Sequence, residues 1–142
     1  MKTLGIGLIG SGFMGRCHVN AYNSIASIFE VSSRPVLKIL ADATPELASQ
    51  QAKALQFEQS TEDWQELVNH PEVDVVDITA PNHLHHPIAV AALNLGKPVY
   101  CEKPLACTLA EAEEMADFAK AQQIPTLVGY NYLQNPLMKT AR

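Results

Sequence analysis

The chain has 142 residues, a formal net charge of −5, 47% hydrophobic residues and 18% charged ones. That is the length of one ordinary domain with apolar content enough for a core, which excludes a disordered chain. The acidic balance excludes attraction to nucleic acid or an anionic membrane surface, and no apolar run reaches bilayer length. The N-terminus lacks a signal-peptide core, and Cys17, Cys101 and Cys107 are odd in number with no C-x-x-C. A reducing, cytoplasmic setting is the expectation, with no disulfide framework and no metal.

Strand-like runs alternate with helical patterns along the whole chain. Leu4 to Ile9 reads as a first strand, and a helix is expected from about Phe13 to Phe29. After a polar turn (Glu30 to Pro35), Val36 to Ala41 forms a second strand. Pro45 suits the first turn of a helix running to about Leu55, capped by Asp42 or Thr44. Phe57 is assigned to a short third strand. Thr61 to Val68 reads as a helix with its capping signal at Ser60 or Thr61. Val73 to Thr79 is a fourth strand, Ile88 to Leu95 a helix closed by Gly96, and Pro98 to Cys101 a fifth strand. Thr108 caps a helix from Leu109 to about Gln122, and Pro125 to Gly129 is a sixth strand. A further helix starts at Asn135-Pro136, and the chain reads as one domain (1–142) with that last helix cut short. Strands separated by helices imply parallel pairing, hence an α/β doubly wound sheet of about six strands, with a switch point beside the first.

Two overlapping G-x-G-x-x-G patterns occupy the N-terminus: Gly5, Gly7, Gly10 and Gly10, Gly12, Gly15. Only the second follows a full strand and opens a helix, the context that makes the pattern a dinucleotide fingerprint. Gly10 would make the tight turn, Gly12 would admit a pyrophosphate, and Gly15 would let the helix lie close on the strand. The phosphates would meet free N–H groups at the helix start, Phe13 and Met14 included. Asp42 follows the second strand, 27 positions after Gly15, where about 20 is usual. Its carboxylate can accept from a ribose diol and repel a 2′-phosphate, and neither Ala43 nor Thr44 offers a cation. NAD is therefore expected over NADP. The plainer reading is that Asp42 only caps the next helix.

Two further constellations end strands four and five: Thr79-Ala80-Pro81-Asn82-His83-Leu84-His85 and Glu102-Lys103-Pro104. Ligands bind outside the carboxyl ends of strands in open α/β sheets, so both would face the crevice beside Gly12. His83, His85 and His86 could be read as a metal cluster, but no acidic or thiolate ligand adjoins them. His85 could equally be a helix-start residue satisfying backbone groups. Cys17, near the positive end of the first helix, reads as a packed thiol. Asp74 and Asp77 read as strand-end residues, and Glu111 to Asp117 as a solvated helix face.

With G-S-G-F-M-G-R-C-H (10–18), A-P-N-H-L-H (80–85), G-K-P-V-Y-C-E-K-P-L-A (96–106) and G-Y-N-Y (129–132), the chain resembles the N-terminal half of the Gfo/Idh/MocA family. This is the glucose–fructose oxidoreductase and inositol dehydrogenase group. The resemblance implies hydride transfer between a nicotinamide and a hydroxyl carbon of a sugar, cyclitol or related polyol. Lys103 would be the catalytic lysine, hydrogen-bonded to the reacting hydroxyl. Glu102 would lie toward the nicotinamide ribose, and Lys103-Pro104 would be a cis peptide. Thr79, Pro81 and Lys103 would also contact the cofactor, Asn82 and His85 would approach its nicotinamide end, and Asn131 and Tyr132 would line the substrate pocket. Relatives often carry an arginine and an aromatic where Leu133 and Gln134 stand here, so that contact is not carried over. Relatives also continue into a second, substrate-binding domain that usually forms a homo-oligomer interface. The expectation is that this chain holds the cofactor and the lysine, with little turnover alone. The alternatives are a non-catalytic nucleotide-sensing module acting with a partner chain and, remotely, a methyltransferase, which leaves the Glu-Lys-Pro segment unexplained.

Overall fold

The computed structural model describes residues 2–134 and 136–140. In chain order the elements are β1 (Lys2–Ile9), α1 (Phe13–Ile28), β2 (Ser33–Ala41), α2 (Pro45–Leu55), β3 (Gln59–Thr61) and α3 (Trp64–Asn69). They continue with β4 (Val75–Ile78), α4 (His85–Asn94), β5 (Val99–Cys101), α5 (Leu109–Gln122), β6 (Thr126–Val128) and α6 (Pro136–Thr140). A 3-10 turn at Asn82–Leu84 leads into α4. All pairings are parallel, and the order across the sheet is β3-β2-β1-β4-β5-β6. The direction of winding reverses between β1 and β4, so the crevice expected of a doubly wound sheet opens above β1.

Each face of the sheet carries its own core. Val19 of α1 and Ala48 and Ala52 of α2 pack with Ile6, Leu8, Leu37 and Leu40 on one side. Leu67 of α3, Ile88 and Ala92 of α4 and Met115 of α5 pack with Ile9, Ile39, Val76 and Ile78 on the other. A strand buried on both faces reads as a continuous apolar run, as β1 does. In β2, Leu37 pairs with Ile6 and Ile39 with Gly7, skipping Lys38. That bulge turns Leu37 and Ile39 to opposite cores, where strict alternation would put them on one face.

Several expected boundaries shift. β2 begins at Ser33, so the polar turn is shorter than read, and Pro35 sits inside the strand. Phe57 is not in a strand; it is 8% exposed in the α1–α2 core, and β3 begins two residues later. The cap of α3 is Asp63, which accepts from Gln65 N–H at 2.8 Å, rather than Ser60 or Thr61. Val73 precedes β4, and α4 starts at His85, three residues before its apolar pattern. Thr108 and Glu111 form a full capping box on α5, so Glu111 is a cap as well as part of a polar face. For the helix expected from Asn135-Pro136, α6 starts at Pro136; Asn135 lies outside the described residues. No helix among the described residues is long and apolar enough to cross a membrane.

Candidate cofactor site and lysine turn

The strand registers place Thr61, Ala41, Ile9, Ile78, Cys101 and Val128 in one row, the last fully paired row across all six strands. The next residue of each strand forms a level rim: Glu62, Asp42, Gly10, Thr79, Glu102 and Gly129. Backbone bonds hold that rim, with Gly10 N–H donating to Ala41 O at 2.9 Å and Thr79 N–H to Ile9 O at 2.9 Å. Glu102 N–H donates to Ile78 O at 2.9 Å, and Gly129 N–H to Cys101 O at 2.8 Å.

The glycine turn is held from beneath by Thr79. Its hydroxyl faces Gly10 O at 2.5 Å and Ile9 O at 3.2 Å. Gly10 has φ +94°, and a Cβ there would come within 2.8 Å of Thr79 O. A Cβ at Gly15 would run into Gly10 O, so α1 rests directly on the turn. Gly5 and Gly7 lie inside β1 against Glu72 and Leu67, where they serve packing. Gly12 differs, because a Cβ there would meet nothing within 4 Å. Nothing among the described residues requires glycine at 12. A requirement there has to come from something approaching the backbone from outside.

Helix capping points the same way. Side chains cap α2 (Thr44), α3 (Asp63) and α5 (Thr108), while Gly12 offers α1 no side-chain acceptor. The first-turn amides of a 16-residue helix, those of Phe13 and Met14 among them, are left for an external acceptor at its positive end.

Asp42 is not the cap of α2; Thr44 is, accepting from Leu47 N–H at 3.2 Å. Asp42 Oδ2 accepts from Ser11 N–H at 2.9 Å and from the Ser11 hydroxyl, and Oδ1 accepts from Ala43 N–H at 2.7 Å. These donors aim the carboxylate along one wall of a groove of about 320 Å³ beside Gly10. Trp64, Ile9, Ala80, Pro81 and Leu84 line its apolar part; Glu62 and His83 add polar atoms; no lysine or arginine lines it. Glu62 and Trp64 were not among the residues picked from sequence. Placing β3 at Phe57 hid Glu62, which becomes visible once Thr61 is aligned with Ala41.

The second constellation divides. Pro81 lines the groove. Asn82 Nδ2 donates to Ala106 O at 3.4 Å and Cys107 Sγ at 3.3 Å, while its buried Oδ1 has no partner among the described residues. An orphaned acceptor of this kind asks for a donor from a ligand. His85, read either as near the nicotinamide end or as a helix-start residue, opens α4. It is 2% exposed, and its ring nitrogens lie 2.9 Å from Pro104 O and 2.9 Å from Ala80 O. It ties the end of β4 to the lysine turn, the helix-start reading. His86 pairs with Glu114 at 2.9 Å on the surface and His83 faces the groove, so the three imidazoles do not converge.

Lys103 is exposed on a turn with a cis Lys103-Pro104 bond. Glu102, expected to lie toward the nicotinamide ribose, is 5% exposed and turned under the rim. Its Oε2 accepts Lys103 N–H at 3.1 Å and its Oε1 lies 3.1 Å from His18 Nε2. Asp77 is the penultimate residue of β4 and has the hydrogen-bond partners expected of it. It is fully buried, facing His18 Nδ1 at 2.9 Å and accepting from Tyr22 at 2.8 Å. Asp74, just before β4, accepts from Gly5 N–H at 2.7 Å. Burial, reinforced by Asp77 and Glu102, pushes the Cys101 thiol up to about 12, so it is no nucleophile. Cys17 is partly buried and Cys107 exposed.

Residues 4–130 match the family described as oxidoreductases with an NAD-binding Rossmann fold. Levoglucosan dehydrogenase of Pseudarthrobacter phenanthrenivorans is 44% identical over 143 residues, covering 100% of this chain and 37% of that protein. The crystal structure of an NAD binding oxidoreductase from Klebsiella pneumoniae superposes with TM-score 0.93 at 48% identity, covering 98% of this chain and 37% of that one. A levoglucosan dehydrogenase complex with NADH and L-sorbose gives TM-score 0.91 at 46% identity, covering 94% and 36%. The chain thus spans a little over a third of the length of these relatives. It belongs to the Gfo/Idh/MocA oxidoreductase family and carries that family's NAD-binding Rossmann domain.

Proposed function

We propose that the rim binds NAD(H) with its diphosphate at Gly12 and the start of α1, its adenosine half in the groove beside Asp42 and its nicotinamide toward Asn82 and Lys103. In this reading the domain serves a dehydrogenase acting on a hydroxyl carbon of a sugar, cyclitol or related polyol. The observation that carries it is Gly12, a glycine that no contact among the described residues explains, at the head of a helix with no side-chain cap. The orphaned Asn82 Oδ1 supports the same placement.

When bound, the dinucleotide supplies a hydride acceptor and donor. The chain's own residues do the rest. The amides of α1 hold the diphosphate charge. Asp42, oriented by Ser11 and Ala43, accepts from the ribose diol. With Glu62 it lines a groove without lysine or arginine, which disfavours a 2′-phosphate. Lys103 Nζ takes the proton from the substrate hydroxyl as oxidation proceeds and returns it in reduction.

The test is titration of the folded chain with NADH and NADPH, followed by nicotinamide fluorescence. NADH is expected to bind, NADPH at least tenfold more weakly, and Lys103→Met to leave NADH affinity within about threefold. Absence of NADH binding at millimolar concentration would remove the reading.

A further inference from the structure

A polar cluster of His18, Asp77 and Glu102 lies beneath the glycine and lysine turns. His18, on α1 one turn past Gly15, is 6% exposed. Its Nδ1 lies 3.0 and 2.9 Å from the two oxygens of Asp77 in β4, and its Nε2 lies 3.1 Å from Glu102 Oε1 past the end of β5. The ring stacks on Tyr100 with centroids 4.5 Å apart and planes inclined by 10°. Glu102 Oε2 accepts the backbone N–H of Lys103 at 3.1 Å. On the far side, a Cβ at Gly129 would run into Glu102 Oε1, so β6 closes the other way out for this carboxylate.

Two carboxylates and an imidazole buried together are an expensive core. Well-packed apolar groups of the same volume commonly serve stability as well or better. What the cluster supplies is geometry. The glycine turn rides on β1 and the lysine turn follows β5, with β4 between them. His18 connects the helix that opens at the glycine turn to the residue that holds the lysine backbone.

We propose that His18 is a positioning residue for Lys103: it clamps Glu102 between α1 and the end of β5, and Glu102 fixes the peptide from which the lysine side chain projects. This rests on the reading of Lys103 as the proton-handling group. Both ring nitrogens face carboxylate oxygens, so only the doubly protonated ring donates at both ends. Burial alone would lower its pKa, but the hydrogen bonds and charges of Asp77, then Glu102, outweigh that and hold His18 above its ordinary value. The titratable groups around the ring are Asp77 from β4, Tyr100 and Cys101 from β5, Glu102 beyond it, and Tyr22 from α1 itself through Asp77.

The experiment is an NMR titration of the isotope-labelled 142-residue chain, following the His18 ring and the Lys103 backbone amide from acid to alkaline pH. The Lys103 amide is expected to move with the midpoint of the His18 ring, and H18Q to abolish that movement. Should H18Q fail to fold, E102Q gives the second reading. The His18 midpoint then falls toward its ordinary value and the Lys103 amide stops following it. A histidine needed only for stability would lower the melting temperature without linking these two signals. A Lys103 amide that stays flat while His18 titrates, or that moves equally in H18Q, would overturn the proposal. NADH titration of the same samples separates the two readings. A chain that binds NADH without the linkage loses only the role of His18. A chain with the linkage but no NADH binding loses the cofactor reading.

Discussion

Asp42 and Glu102 each follow the last paired residue of their strand, on either side of the β1–β4 switch point, yet their surroundings are opposite. Asp42 is only partly buried, is held by N–H and O–H donors from Ser11 and Ala43, and faces a groove. Glu102 is 5% exposed, is held by His18 and the Lys103 amide, and faces the interior. Neutral donors orient a carboxylate and leave its remaining lone pairs for a ligand. A buried imidazole ring shared with a second carboxylate occupies those lone pairs and turns the carboxylate into framework. Position in the rim is therefore not enough to assign a role; the partner decides it.

The sharpest way to break this contrast is at His18. His18→Leu leaves Asp77 and Glu102 buried without the ring they share and should cost about 3–5 kcal/mol of unfolding free energy, measured by urea denaturation. A loss under about 1 kcal/mol would mean the cluster is not the framework described. Gly129→Ala tests the other wall of the Glu102 pocket. Its Cβ collides with the pinned carboxylate, and the overpacking should cost about 1–3 kcal/mol.

On the open side the effect should be on affinity instead. Asp42→Ala is expected to weaken NADH binding about tenfold, some 1.4 kcal/mol. Water can replace it as acceptor for Ser11 and Ala43, so stability should fall by about 1 kcal/mol or less. The same variant should narrow the gap between NADH and NADPH. A large stability loss with affinity intact would reverse the roles assigned to the two carboxylates.

A smaller effect separates them by pH. His18 has a folded pKa raised above its unfolded value of about 6.5. Its stabilisation is complete below that value and is lost as pH rises through the folded one. Burial raises the Asp77 carboxyl, with His18 and Tyr22 only partly offsetting it, and that contribution has the same sign. His18 should therefore add a decline in denaturation midpoint from about pH 6.5 upward in the native chain, and His18→Gln should lack that added part of the decline. The smallest effect belongs to the surface pair of His86 and Glu114, where His86→Ala should change stability by less than about 1 kcal/mol.

Much of this was legible in the residues. Alternating apolar and helical patterns, the glycines at 10, 12 and 15 and the acid after the second strand are local signals, because strand, turn and helix propensities act over a few positions. The doubly wound sheet followed from them. The errors have a common origin. β3 is three residues long, too short for its alternation to show, and missing it hid Glu62. The His83-Leu84-His85-His86 segment could not say which way each ring points.

What the chain determined by itself was the succession of elements and the composition of the glycine turn, both written in contiguous residues. What only the folded molecule decided was which polar groups face the crevice and which face each other. His18 is 59 positions from Asp77 and 84 from Glu102, and nothing local distinguishes it from a surface histidine. Its meeting with two carboxylates comes from the packing of α1 across β4 and β5. The rim likewise exists only through register, since a backbone hydrogen bond between strands aligns residues that no short stretch of sequence contains.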